Sequence, residues 1–149
     1  MPPYYSMVGG YAMILHLFRT EVGLGEGFRQ EMLRYAALQP GEWILDVGCG
    51  TGVLTRLAAA VVGPAGWVVG IDPALLMLAC VRDNAVLAGK WLAFRLAAVE
   101  PLPFADQIFD VVLASFVLHH LRPEVKRAGL HEIYQVLKPG GRLLVMGVD

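Results

Sequence analysis

The 149-residue chain is predicted to fold as an open, doubly wound α/β sheet of about five mostly parallel strands. Three observations predict it. Short continuous apolar runs alternate with longer amphipathic segments, the pattern of strands covered on both faces. The first clear run, Trp43-Ile44-Leu45-Asp46-Val47, passes straight into Gly48-Cys49-Gly50-Thr51-Gly52 and then into an apolar helix over 53–62. Acidic residues and glycines recur at the ends of successive runs, where such sheets hold their ligands.

Taken in order, residues 1–39 form an N-terminal arm with helices, and 40–149 the core of a single domain. Pro2, Pro3, Gly9 and Gly10 discourage regular structure over 1–10. The apolar run 11–19 reads as one short helix. Gly23, Gly25 and Gly27 interrupt the chain before a second helix over 28–38, whose Met32, Leu33, Tyr35 and Ala36 recur at helical intervals. Gln39-Pro40-Gly41 stops it. Strands are then predicted over 42–47, 67–71, 92–97, 109–115 and 142–147, with helices over 53–62, 74–88 and 123–137. Right-handed crossovers join them into one sheet. Lys138-Pro139-Gly140-Gly141 is a helix stop and turn. Arg122, Lys126, Arg127 and Lys138 read as a solvated face.

Composition removes several functions. A net charge of −1 argues against nucleic-acid binding. No apolar run is long enough to cross a bilayer, and Met1-Pro2-Pro3-Tyr4-Tyr5 lacks the basic start of a signal peptide. Cys49 and Cys80 form neither a disulfide framework nor a zinc-ligand pattern, so no metal is expected and a reducing cytoplasm suits them. The apolar fraction of 56% is high for a soluble domain, and a self-association face would absorb the excess.

The glycine turn is a ligand cradle. Glycines let main chain approach a ligand closely, and the following helix start presents unpaired N–H groups. Asp46 selects the ligand. A carboxylate repels a pyrophosphate and suits an amino group. The spacing agrees, being G-x-G-x-G with Val53 in the later position, whereas a dinucleotide fingerprint needs G-x-G-x-x-G. Asp72, twenty residues after Gly52, ends the second core strand. Its carboxylate either accepts both hydroxyls of a ribose or caps the helix beginning at Pro73 or Ala74, and the loop before it favours the ribose.

Asp46 to Gly52, Ile71-Asp72-Pro73, Leu102-Pro103-Phe104 ahead of Phe109-Asp110-Val111-Val112, and Leu137-Lys138-Pro139-Gly140-Gly141 resemble, in order, the motifs of the class I S-adenosylmethionine-dependent methyltransferases. The set is most similar to the small-molecule branch (methyltransferase type 11) that includes quinone C-methyltransferases. The resemblance implies a Rossmann-like core and S-adenosyl-L-methionine as cofactor, with S-adenosyl-L-homocysteine as product. The acceptor would be a small, apolar molecule. It makes Asp46, Gly48, Cys49, Gly50, Gly52, Asp72 and Pro73 cofactor-binding residues, with Asp46 near the ammonium group and Asp72 at the ribose.

Met77 would pack on the adenine, although a core methionine explains it nearly as well. Val99 would present its N–H to the adenine ring. Ala98 stands where the family usually has an acid for the adenine amino group, a departure that weakens adenine selection. The main chain near Ser115 would hold the methionine amino group, and Phe116 would shape the pocket. His119 and His120 would serve as a general base or simply cap and pack, because methyl transfer from a sulfonium needs little proton transfer.

The resemblance further implies that the N-terminal region lies over the site as a helical lid, against the alternative of a helix packed on the sheet. The resembled fold continues past residue 149 with a helix and an antiparallel strand pair. Without that pair the strand 142–147 is an edge, and a homodimer through it is expected. Two other functions fit the same residues: a cofactor-binding module without catalysis, and a non-catalytic partner subunit of another methyltransferase.

Overall fold

The computed structural model describes residues 4–8, 11–18, 26–74, 91–115 and 117–148, with side chains from residue 29 to 146 within those ranges except that of His119. The strands are β1 (Tyr4–Val8), β2 (Tyr11–Phe18), β3 (Trp43–Val47), β4 (Trp67–Asp72), β5 (Leu92–Leu96), β6 (Phe109–Ser115) and β7 (Leu137–Val148). The helices are α1 (Glu26–Ala36), α2 (Val53–Val62) and α3 (Pro123–Val136), with a 3-10 turn at Leu118–His120. The strands form one sheet in the order β1-β2-β7-β6-β3-β4-β5. From β7 to β5 every pair is parallel, so the doubly wound core is the predicted one. The predicted helix over 74–88 falls almost wholly outside the described residues, and so does Met77.

Neighbouring residues along the core strands bury themselves in opposite layers, as the pleat requires. Ile44, Val68, Val111 and Leu144 face α1 and α2, where Met32, Ala36, Leu54, Ala58 and Val62 meet them. Leu45, Val69, Val112 and Leu143 face the other way, against Ile133 and Val136 of α3. Met32 and Ala36 are fully buried. For α1 this is the packed-helix alternative. Among the described residues no helix is long and apolar enough to cross a membrane.

The N-terminal expectations are corrected. Residues 4–8 are a strand within the predicted irregular arm, and 11–18 are a strand where a helix was expected. β1 and β2 pair antiparallel, Val8 opposite Tyr11. β2 then lies parallel to β7, from Ala12 opposite Arg142 to Phe18 opposite Val148. A continuous apolar run does not distinguish a buried strand from a helix. The unpaired backbone of β7 gives this run a hydrogen-bonding partner. β7 is therefore not an edge, and the expected dimer through it loses its premise.

The amino ends of the core strands are pinned by polar clamps. Arg142 donates from Nε to the Ala36 carbonyl at 3.1 Å and from a terminal nitrogen to Glu42 at 2.9 Å. A cation thus meets the carboxyl end of α1, where the helix dipole favours it, and ties it to β3 and β7. Asp110 accepts the Trp43 N–H at 2.8 Å and faces Lys138 at 3.3 Å. Lys138 belongs to an irregularity in β7: Leu137 pairs with Phe109 but Arg142 with Val111, and the residues between bulge out through Gly140 at φ +80°. The predicted turn survives as this bulge.

Candidate functional site

Strand order reverses at β3, which has β4 on one side and β6 on the other. Ligands of such sheets lie beyond the carboxyl ends at this point. There Val47 pairs with both Ile71 and Ala114, and the chain enters the glycine turn. Gly48, Gly50 and Gly52 take φ of +69°, +56° and +81°, a region costly for other residues. A Cβ on Gly48 would sit 2.9 Å from Val117, whereas one on Gly50 would meet no protein atom within 4 Å. Protein crowding accounts for the first glycine; at the second only backbone conformation does.

The turn is held from β4. Cys49 N–H donates to the Ile71 carbonyl at 2.9 Å, and Gly50 N–H to Asp72 Oδ2 at 3.0 Å. The Cys49 side chain lies over Gly70, where any Cβ would be 3.0 Å from its own. Burial pushes the Cys49 thiol up to about 12, with the charges of Asp46 and Asp72 adding to the rise. It stays a protonated thiol at neutral pH and is not a nucleophile.

Asp46 is 1% exposed. Thr55, in the first turn of α2, donates its hydroxyl to Asp46 Oδ2 at 2.7 Å. Asp46 Oδ1 is buried and has no hydrogen-bond partner, alone in this among the described buried side-chain nitrogens and oxygens. Burial pushes the carboxyl up to about 7; the Thr55 bond opposes the rise and the Asp72 charge adds to it. An oxygen so placed costs stability until something donates to it, and an ammonium group would donate with opposite charge.

Asp72 accepts from Gly50 with one oxygen and from the Ala74 N–H, at 2.8 Å, with the other. The helix that Asp72 would cap, the alternative expected for it, lies outside the described residues beyond Ala74. Each carboxylate oxygen carries a second lone pair, so these bonds leave acceptor capacity for hydroxyls. The register of β4 with β5, Asp72 opposite Leu96, brings Pro73 beside the segment after β5. There a cavity of about 100 Å³ is lined by Val47, Gly48, Pro73, Ala97, Ala98 and Val99, with Glu100, Val117, Leu121 and Val125 closing it. Val99 is buried, and Gly129 of α3 carries no Cβ because one would lie 2.9 Å from it.

The sequence-predicted residues Asp46, Gly48, Cys49, Gly50, Gly52, Asp72, Pro73, Ala98 and Val99 thus gather at one end of the sheet. Ser115 ends β6, half-buried. Met77 and Phe116 lie outside the described residues, as does the His119 side chain. His120 is exposed in the 3-10 turn. Among the described residues no group of three histidine, cysteine or acidic side chains stands ready to hold a metal. Thr55 was missed. Its signal was legible, since a hydroxyl on the buried face of an apolar helix needs a partner.

The arrangement offers an orphaned carboxylate oxygen suited to an ammonium donor and a narrow, mostly apolar cavity beside Pro73 and Val99. Comparison with known proteins agrees. Residues 44–141 match the methyltransferase domain family. A ubiquinone/menaquinone biosynthesis C-methyltransferase of Ectopseudomonas mendocina is 40% identical over 83% of this chain and 48% of its own length. An arsenite methyltransferase of Halobacterium salinarum is 39% identical over 87% of this chain and 32% of its own. The chain therefore spans half or less of the length of these two relatives. The crystal structure of a SAM-dependent methyltransferase from Aquifex aeolicus matches with a TM-score of 0.67 at 27% identity, covering 74% of this chain and 58% of that one. Fold, glycine turn, paired acids and relatives converge: the chain belongs to the S-adenosylmethionine-dependent methyltransferase domain family.

Proposed function

We propose that this chain binds S-adenosyl-L-methionine across the carboxyl ends of β3 and β4 and transfers its methyl group to a small, apolar acceptor. The observation that carries the proposal is the buried, unpartnered Asp46 oxygen beside a glycine turn. A phosphate-bearing cofactor would be repelled there. Asp46 takes the amino group, Asp72 the ribose hydroxyls, and the cavity at Pro73, Ala98 and Val99 the adenine. Gly48 and Gly50 admit the methionine chain close to the backbone, with Cys49 and Gly52 shaping the turn and the main chain at Ser115 completing it.

When bound, the cofactor supplies a methyl group already activated on a sulfonium. The chain's own contribution is to fix its direction and keep water away, which supplies most of the acceleration such a transfer needs. The methyl leaves the sulfonium without a proton transfer, and an aromatic carbon that accepts it sheds its ring proton to solvent or a nearby base afterwards. The role of His119 or His120 as a general base stays a proposal, to be tested by their alanine variants.

Relatives named for quinone carbon methylation, 34–40% identical, support an apolar carbon acceptor; arsenite is the substrate class named for another relative, at 39%. The test is transfer of labelled methyl from S-adenosylmethionine to a panel holding quinol-type aromatics and arsenite. Label in an aromatic carbon is the expected result. Transfer to arsenite alone would overturn the acceptor class, and cofactor binding with no transfer to any member would leave a binding module.

A further inference from the structure

We propose that Thr55 is a positioning residue of the cofactor site, holding one oxygen of Asp46 so that the other is presented, ionised, to the ammonium of the bound amino acid. The inference rests on the cofactor reading above and concerns a residue outside the glycine turn. Thr55 is fully buried, on the face of α2 that also buries Leu54, Ala58, Ala59 and Val62. Its hydroxyl has one feature of note, the 2.7 Å bond to Asp46 Oδ2. That bond fixes the carboxylate plane and leaves Oδ1 as the open acceptor.

The same bond favours the charged carboxylate, against the burial that opposes it. Asp72 is the titratable group that acts on Asp46 from β4, Cys49 in the turn is itself raised by the Asp46 charge, and β6 presents Leu113 opposite Asp46. Cysteine stays neutral there, so Asp72 is the charge that competes with ionisation. Near neutral pH part of the population carries a proton on Asp46. Binding an ammonium ligand expels that proton to solvent while the ligand keeps its own three. Cofactor binding is thereby coupled to release of a proton, and Thr55 sets the pH at which the site is ready.

The test is calorimetry with S-adenosylhomocysteine, which carries the amino-acid tail, and with 5′-methylthioadenosine, which does not, between about pH 6 and pH 9. Thr55→Val keeps the shape and removes the hydroxyl. It is expected to weaken S-adenosylhomocysteine about tenfold at neutral pH, with the loss shrinking as pH rises, while methylthioadenosine binds as before and Thr55→Ser restores the parent behaviour. A loss equal at every pH, or shared by both ligands, would make Thr55 a packing residue and overturn the proposal. The unaltered protein gives a second reading that needs no variant: titration in buffers of different ionisation enthalpy should show proton release on binding S-adenosylhomocysteine near neutral pH. Binding without proton release overturns the Thr55 proposal alone; no binding of either ligand overturns the cofactor reading beneath it.

Discussion

The two ends of the sheet are built to opposite rules. At the amino ends, polar clamps tie the strands together and the aromatic rings stack. Trp43 meets Trp67 edge-on at 5.1 Å, and Trp67 stacks on Phe109 at 6.0 Å. Trp91 donates its indole N–H to the Ala59 carbonyl at 2.9 Å. At the carboxyl ends, three glycines take left-handed conformations and two carboxylates are buried, one with an oxygen left unpaired. The first end is finished by the chain itself, and the second is complete only with a ligand. Buried polarity without a partner is poor engineering for stability, so where it occurs beside a perfected core it marks function.

Substitutions at the two ends should therefore separate stability from binding. The largest effect is expected from Phe109→Ala, which empties a fully buried site between Trp67 and Phe104. It should lower unfolding free energy by about 3–5 kcal/mol in urea titrations, with cofactor affinity of the folded fraction nearly unchanged. An equal loss of affinity would erase the distinction between the ends. Asp72→Ala should do the reverse, weakening S-adenosylhomocysteine binding by about 1.5–3 kcal/mol in calorimetry. Unchanged affinity would confine Asp72 to holding Gly50 and Ala74.

Asp46 sharpens the comparison through pH. Its carboxyl rises in the folded state from 3.8 to about 7, chiefly through burial. The folded protein then binds more protons than the unfolded one between those values, and stability falls as pH rises across that window. Asp46→Asn removes this contribution, so the pH dependence of the urea midpoint between pH 5 and pH 7 should flatten relative to the parent. A slope identical in both proteins would show that Asp46 ionises as freely folded as unfolded. The smallest effect is expected at Lys138, whose pairing with Asp110 is half-exposed. Lys138→Met should change stability by less than about 1 kcal/mol, and a larger loss would mean the clamp at the amino ends is stronger than its exposure suggests.

How much of this was legible varies with the physics involved. Four of the core strands were readable to within a residue or two, because continuous apolar runs bounded by glycine, proline and acids have few other solutions; β7 was not, since it begins at Leu137 and carries as a bulge the residues expected to form a turn. The glycine turn and the two acids were readable for a similar reason: few other residue types serve there. The N-terminal hairpin was not read, although its signal was present. Gly9-Gly10 between apolar flanks is a sequence signal for a two-residue hairpin connection, which had been taken as a break. What overrode the helical reading of residues 11–18 was a partner far away in sequence, and no local pattern reports that. The state of Asp46 was equally hidden. A sequence shows an acid at a strand tip but not which of its oxygens is satisfied; that needed the Thr55 hydroxyl placed in space.

The pairing of β2 with β7 joins Ala12 to Arg142 and Phe18 to Val148. During synthesis β1 and β2 must wait for β7, about 130 residues further along the chain, before they have a place in the sheet. The hairpin can close early on its own, yet its docking is a contact between segments far apart in sequence, a slow kind to find. Until then an apolar ribbon stays open to water, and a chaperone that shields the nascent hairpin should improve recovery of folded protein.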